Sequence, residues 1–309
     1  MSKQPQGNWT PIQSLDIARS HPSIASYEER IYAFGGGGPN FKSLNSAVSL
    51  DPQKNTWSKC ADMPTLRSGT VAATIGDSVY VMGGGFRQEN GQFRFLTTVE
   101  IYHPETDTWT TGPSLIKPHD YPAVAILGDT IYVLGGHHPN ATEGGPKTDP
   151  GFDFCERLDI KKGEWEMIAP LPTARFALSA ISHEGKILAM GGVAFRPEGF
   201  NNFTTIETYD PTTNQWGQDE NFKLPWPAAG LGSAKLGGNI YVFGGYSDDD
   251  IHGRTARYNT QTNKWEQAKP LPAPVAAMGT TTSNRCIYSV GGWADDGRTP
   301  IDCVYKYTP

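Results

Sequence analysis

Short apolar runs closed by a glycine doublet recur along the chain. They read IYAFGG (ending Gly35-Gly36), VYVMGG (Gly83-Gly84), IYVLGG (Gly135-Gly136), ILAMGG (Gly191-Gly192), IYVFGG (Gly244-Gly245) and IYSVGG (Gly291-Gly292). Each run is too short for a helix and is bounded by turn residues, so it predicts a buried strand. The doublets are 47 to 56 residues apart, a period that predicts a radial array of small sheets. Each unit carries three further strand signals. A small apolar stretch such as SGTVAAT (68–74) predicts strand a, and the doublet run is strand b. Segments such as YDPTTNQW predict the end of strand c, a tight turn and the start of strand d. Their tryptophans are Trp57, Trp109, Trp165, Trp216 and Trp265, each large enough to anchor neighbouring sheets.

The sixth unit stops after its strand c, DCVYKYTP, at Pro309. Its missing strand d is expected at the other end, around residues 8–13, with Trp9 as the anchor. Closing the ring in this way removes open sheet edges. The expected organisation is all-β: a polar tail over residues 1–6, then one six-bladed propeller over 7–309.

The Gly-Gly, Tyr and Trp pattern is similar to the kelch repeat and covers nearly the whole chain. It departs from that repeat at Asn259, where Asp is usual, and at Leu50, where Tyr is usual. The resemblance implies a kelch β-propeller.

Composition narrows the function. The 35 glycines and 24 prolines suit many tight turns, and the net charge of −6 argues against a general nucleic-acid or anionic-membrane surface. The start, MSKQPQGNWT, has no apolar signal region, and no stretch reaches the length of a membrane span. Cys60, Cys155, Cys286 and Cys303 show no CxxC spacing, so free thiols and a cytoplasmic location are expected.

In an antiparallel a-b-c-d meander, the b–c and d–a connections share one face. The b–c loops vary most in length, which marks that face as functional. Sixteen residues before the first glycine of each doublet stand Arg19, Arg67, His119, Arg175, Ala228 and Val275. This lead-in position opens strand a, and its basic residues are expected to form an arc that clamps an anion. A structural role, bonding backbone carbonyls, is the alternative for each arginine. His21, Asp120, Tyr121 and Phe176 follow the lead-in position, while Phe86, Arg87, His137, His138, Phe195, Tyr246 and Trp293 follow the doublets. Trp226 precedes the fifth strand a. Together these residues give an aromatic wall opposite the basic arc, suited to a small anionic ligand. The same composition suits a protein-binding hot spot.

His119, Asp120, Tyr121 and His137 are the candidate acid/base set. No dedicated metal spacing accompanies them, so no cofactor is expected. The iron motif E-x3-D-x3-H of the related plant specifier proteins is matched only at Asp248 and His252, with Gly244 in the first place. Two functions follow. The first is a stand-alone propeller binding a small anionic metabolite over the channel, with isomerase, cyclase or lyase chemistry. The second is a module binding a protein or peptide on the same face. The short polar tail favours the first, because kelch adaptors carry further domains with which to recruit.

Overall fold

A computed structural model describes residues 7–137, 151–196, 199–248, 250–294 and 298–309. Among the described residues, six antiparallel blade sheets, five of four strands and one of five, stand around a central channel. Blade 1 comprises Ser23–Tyr27, Arg30–Phe34, Ala47–Asp51 and Thr56–Cys60, as strands a to d. Blade 2 comprises Ser68–Ile75, Ser78–Arg87, Val99–His103 and Thr108–Thr111. Blade 3 comprises Ala123–Leu127, Thr130–Gly136, Phe152–Asp159 and Glu164–Ile168. Blade 4 comprises Ser179–His183, Lys186–Met190, Thr205–Asp210 and Gln215–Lys223. Blade 5 comprises Gly232–Leu236, Asn239–Phe243, Thr255–Asn259 and Lys264–Ala268. Blade 6 is Gly279–Ser283, Cys286–Val290 and Val304–Thr308, completed by the N-terminal strand Asn8–Ile12, which pairs Trp9 with Tyr307.

The glycine doublets stitch the blades into a ring. The second glycine of each doublet donates its N–H to the lead-in carbonyl of the next blade. The bonds run Gly36 to Arg67 (3.0 Å), Gly84 to His119 (2.6 Å), Gly136 to Arg175 (3.0 Å), Gly192 to Ala228 (2.8 Å), Gly245 to Val275 (2.9 Å) and Gly292 to Arg19 (2.9 Å). The first glycine makes room for the same carbonyl. A Cβ on Gly83 would lie 2.5 Å from the His119 oxygen, and one on Gly291 would lie 2.3 Å from that of Arg19. Both positions have positive φ, which a side chain resists. The motif therefore records where one backbone passes close to the next.

The tryptophans work at the outer edge. The indole N–H groups of Trp57, Trp109, Trp165 and Trp216 donate to the carbonyls of Gln13, Ala61, Pro113 and Ala169, at 2.8–2.9 Å. Each bond reaches the segment that leaves strand d of the preceding blade. The core lies between blades in successive clusters, such as Phe34, Met63, Val79 and Tyr102 between blades 1 and 2. Among the described residues, no helix is long and apolar enough to cross a membrane.

Candidate functional site

The b–c and d–a connections emerge together on one face. Short bridges hold them side by side there: Ser20 with Gly37, Phe176 with Val193, Ala229 with Tyr246, and Ala276 with Trp293. These bridges bring Phe176, Tyr246 and Trp293 to this end of the channel, where Phe176 and Trp293 are buried, against expectation, and Tyr246 is half-buried.

The basic arc is not on that face. Arg19, Arg67, His119 and Arg175 are all buried, and each turns into its own blade. Arg67 donates to the carbonyls of Gly83 (3.0 Å), Thr98 (2.9 Å) and Val81 (3.1 Å), and to Glu100 on strand c at 2.8 Å. Arg175 donates to the Gly191 carbonyl at 2.9 Å and to Glu207 at 2.5 Å. In blade 3, His119 Nδ1 meets the Gly135 carbonyl at 2.5 Å and Nε2 meets Glu156 at 3.1 Å. Glu156 also accepts the backbone N–H groups of Ile116 and Lys117, both at 2.8 Å, so the carboxylate pins the incoming d–a loop. In blade 2, Glu100 accepts the Thr65 hydroxyl at 2.6 Å.

The expected anion clamp is therefore corrected: Arg19, Arg67, Arg175 and His119 do not converge on a ligand. Their variation between blades has an internal cause. Blades 2, 3 and 4 carry Glu100, Glu156 and Glu207 at one register position of strand c. In blades 5 and 6 that position holds Ala256 and Tyr305, opposite the apolar lead-in residues Ala228 and Val275. Basic residue and carboxylate are present together in blades 2 to 4 and absent together in blades 5 and 6. Blade 1 is the exception, with Val48 at that position. Arg19 there relies on the Gly35 and Ser46 carbonyls and the Ser46 hydroxyl. Burial without a carboxylate pushes its guanidinium down to about 10. In blade 4, burial pushes Arg175 down and Glu207 up, and each is pulled back by the other.

The position two residues after the lead-in forms a second ring. His21, Gly69, Tyr121, Ala177, Gly230 and Ala277 all have positive φ, between 48° and 66°. Their backbones are bonded from blade to blade at 2.8–2.9 Å: His21 to Ala277, Tyr121 to Gly69, Ala177 to Tyr121, Gly230 to Ala177 and Ala277 to Gly230. This belt offsets the strain of left-handed backbone at the non-glycine positions. Below it lies a cavity of about 610 Å³, lined by strand a of every blade. Its walls mix small residues, hydroxyls and aliphatic side chains such as Ile24, Val124 and Leu231, and some hydroxyls pair across blades, as Ser179 does with Ser233 at 2.6 Å.

At the mouth, the rings of His21 and Tyr121 lie 4.4 Å apart over Gly69. Asp120 is buried with its carboxylate against Gly69, whose Cβ would fall 2.2 Å from Oδ1. His137 is half-buried, 4.6 Å from Phe176 and 6.3 Å from Tyr121. The candidate acid/base set is thus divided, because His119 faces the blade interior while Tyr121 and His137 face the mouth. His138 lies outside the described residues. Trp226 is also corrected: it is buried in a core cluster with Leu224 and Val242. Tyr246 and Trp293 do meet at the mouth, 5.2 Å apart. Arg298 reaches over the Trp293 ring at 5.8 Å, a residue that sequence reading missed because only the fold brings its loop there. Among the described residues, no group of three His, Cys, Asp or Glu side chains is set to hold a metal.

Burial, with the Arg298 charge second, pushes His21 down to about 3. A histidine held neutral in the fold but protonated when unfolded makes stability fall as pH drops from about 6.5 towards 3, and has no effect above that window. His21→Asn, which tolerates the backbone, is expected to flatten this acid limb by up to about 1.4 kcal/mol per pH unit in denaturant titrations. An unchanged limb would place the loss elsewhere.

Two projections shape the rim. In blade 2, strand b runs on past its doublet and pairs with Phe93–Phe95 as an arm carrying half-exposed Phe86, Phe93 and Phe95 and exposed Arg87 and Arg94. In blade 4, Val193–Arg196 pairs with Gly199–Asn202, placing Phe195 5.0 Å from the exposed Phe200.

The profile of the KLHDC2/KLHL20/DRC7 Kelch-repeats domain matches residues 6–192 and 123–308. Kelch-like protein 36 of Mus musculus is 31% identical over 271 residues, covering 85% of this chain and 42% of the relative. Alpha-scruin of Limulus polyphemus is 27% identical, covering 78% of this chain and 26% of the relative. The chain therefore spans less than half the length of these relatives. A solved structure titled "Structure of YjhT" superposes with a TM-score of 0.78 at 16% identity, covering 95% of this chain and 96% of that one. At that identity the likeness concerns the fold alone.

Proposed function

The chain belongs to the kelch-repeat domain family, and on that premise we propose that it is a protein-binding propeller whose partner docks on the b–c/d–a face. The observation that carries this reading is the internal pairing of the basic lead-in residues. A metabolite enzyme of the expected kind needs Arg67, His119 and Arg175 around one anion, and all three are engaged inside separate blades. What the face offers instead is aromatic surface with exposed arginine at its rim: Phe86, Phe95, Phe195, Phe200 and Tyr246, with Arg87 and Arg298. That mixture is typical of interface hot spots.

The test is affinity capture with quantitative mass spectrometry, comparing wild type with Phe195→Ala/Phe200→Ala and with Lys54→Glu on the opposite face. A partner retained by wild type and Lys54→Glu, and lost with the phenylalanine pair at unchanged melting temperature, is the expected result. Equal retention by all three proteins would remove this face from the account.

A further inference from the structure

The docking face is electrically polar, and its polarity names the chemistry of the segment it takes. Blades 1 and 2 present exposed Lys42, Arg87 and Arg94. Blade 5 presents exposed Asp248 and Asp250. In a closed ring of six blades, blades 2 and 5 stand opposite each other across the channel mouth. Glu89 near the tip of the blade 2 arm, Arg254 beside blade 5, Arg298 over Trp293, and the exposed Asp16, Asp62 and Lys269 of the d–a connections run against this pattern.

The charges on this face differ from those on the flanks of the blades. There, opposite charges neutralise each other within a blade, as in Arg157–Glu166, Lys186–Asp210 and Arg257–Glu266. Among the described residues, Lys42, Arg87, Arg94 and Asp248 form no ion pair, and Asp250 meets only His252, at 3.5 Å. Arg87 has one bond, to the Gly91 carbonyl at 3.1 Å, which orients the guanidinium without neutralising it. Between the two charged sides lie the half-buried rings of Tyr121 and Tyr246, with Trp293 buried beneath Tyr246.

Resting on the protein-binding reading above, we propose that the face takes an extended peptide segment of its partner, acidic at the end over blade 2 and basic at the end over blade 5, with apolar residues between. Opposed rim charges fix the direction and register of such a segment and reject its charge-inverted counterpart.

The test selects a random displayed-peptide library on the immobilised full chain. Enriched peptides are expected to carry Asp or Glu at one end and Lys or Arg at the other. R87E/R94E and D248K/D250K are each expected to weaken a selected peptide by roughly tenfold or more, less so at high salt. Their melting temperatures check the fold, and D248N/D250N serves if the lysine pair unfolds. A peptide with every charge inverted should bind the protein carrying both reversals and not wild type. Enriched peptides without charge polarity, or with affinities indifferent to either reversal, overturn this inference and leave the docking face in place. No enrichment at all overturns both readings. Sedimentation showing self-association that either reversal abolishes would make a second copy the occupant, which also overturns it.

Discussion

Arg175→Met alone is expected to cost about 3–5 kcal/mol, because it strands a buried carboxylate. Glu207 is fully buried and receives the Arg175 guanidinium at 2.5 Å. Removing the cation leaves that charge with only its loop contact to Thr173. Glu207→Met should also be damaging, since the guanidinium would keep only the Thr173 and Gly191 carbonyls and the face of Phe203. The double change R175M/E207M is expected to recover most of the loss. Blades 5 and 6 are the precedent, because they close with Ala228 opposite Ala256 and Val275 opposite Tyr305. Urea unfolding of the four proteins gives the coupling directly, as the difference between the double and the summed single effects. Additive effects would mean that the pair does not act as a unit.

Gly83→Ala is the second large effect, about 2–4 kcal/mol, from strained backbone and a steric conflict together. Its φ is +66°, and the new Cβ would lie 2.5 Å from the His119 carbonyl. That oxygen cannot retreat freely, because it accepts the Gly84 N–H at 2.6 Å. Gly128→Ala is the matched control. Its φ is +60°, but nothing lies within 4 Å of the new Cβ. It should cost about 1 kcal/mol, the left-handed backbone alone. Thermal or urea unfolding separates the two, and equal costs would deny that the doublet is where neighbouring backbones meet.

The blades were legible because the constraints on them are local. A doublet after an apolar run marks a close backbone crossing, and a tryptophan after a tight turn marks an outer strand. Trp9 near the start and the missing strand d at the end even disclosed how the ring closes, with Trp9 pairing Tyr307. The direction of the lead-in side chains was not legible in the same way. Spacing places Arg67 at the start of an inner strand, but whether its guanidinium turns to the axis or into the blade depends on a partner 33 positions later. The signal was present in VEIY, CERL and IETY, whose glutamates occur in the same blades as three of the basic lead-in residues. Trp226 misled for a related reason: its neighbours in sequence are loop residues, while its packing partners are strands of blades 4 and 5. Arg298 was missed because only the fold carries its loop across Trp293.

The protein-binding reading and the metabolite reading part most clearly in one measurement, thermal unfolding of the wild-type chain against a concentration series of carboxylate and phosphate metabolites. A small molecule that binds the folded propeller must raise its melting temperature in a saturable way. With the basic lead-in residues paired inside the blades, the predicted result is no saturable rise for any of them. A rise of several degrees that Arg298→Glu or Tyr246→Ala abolishes would contradict the account and return the channel mouth to small-molecule chemistry.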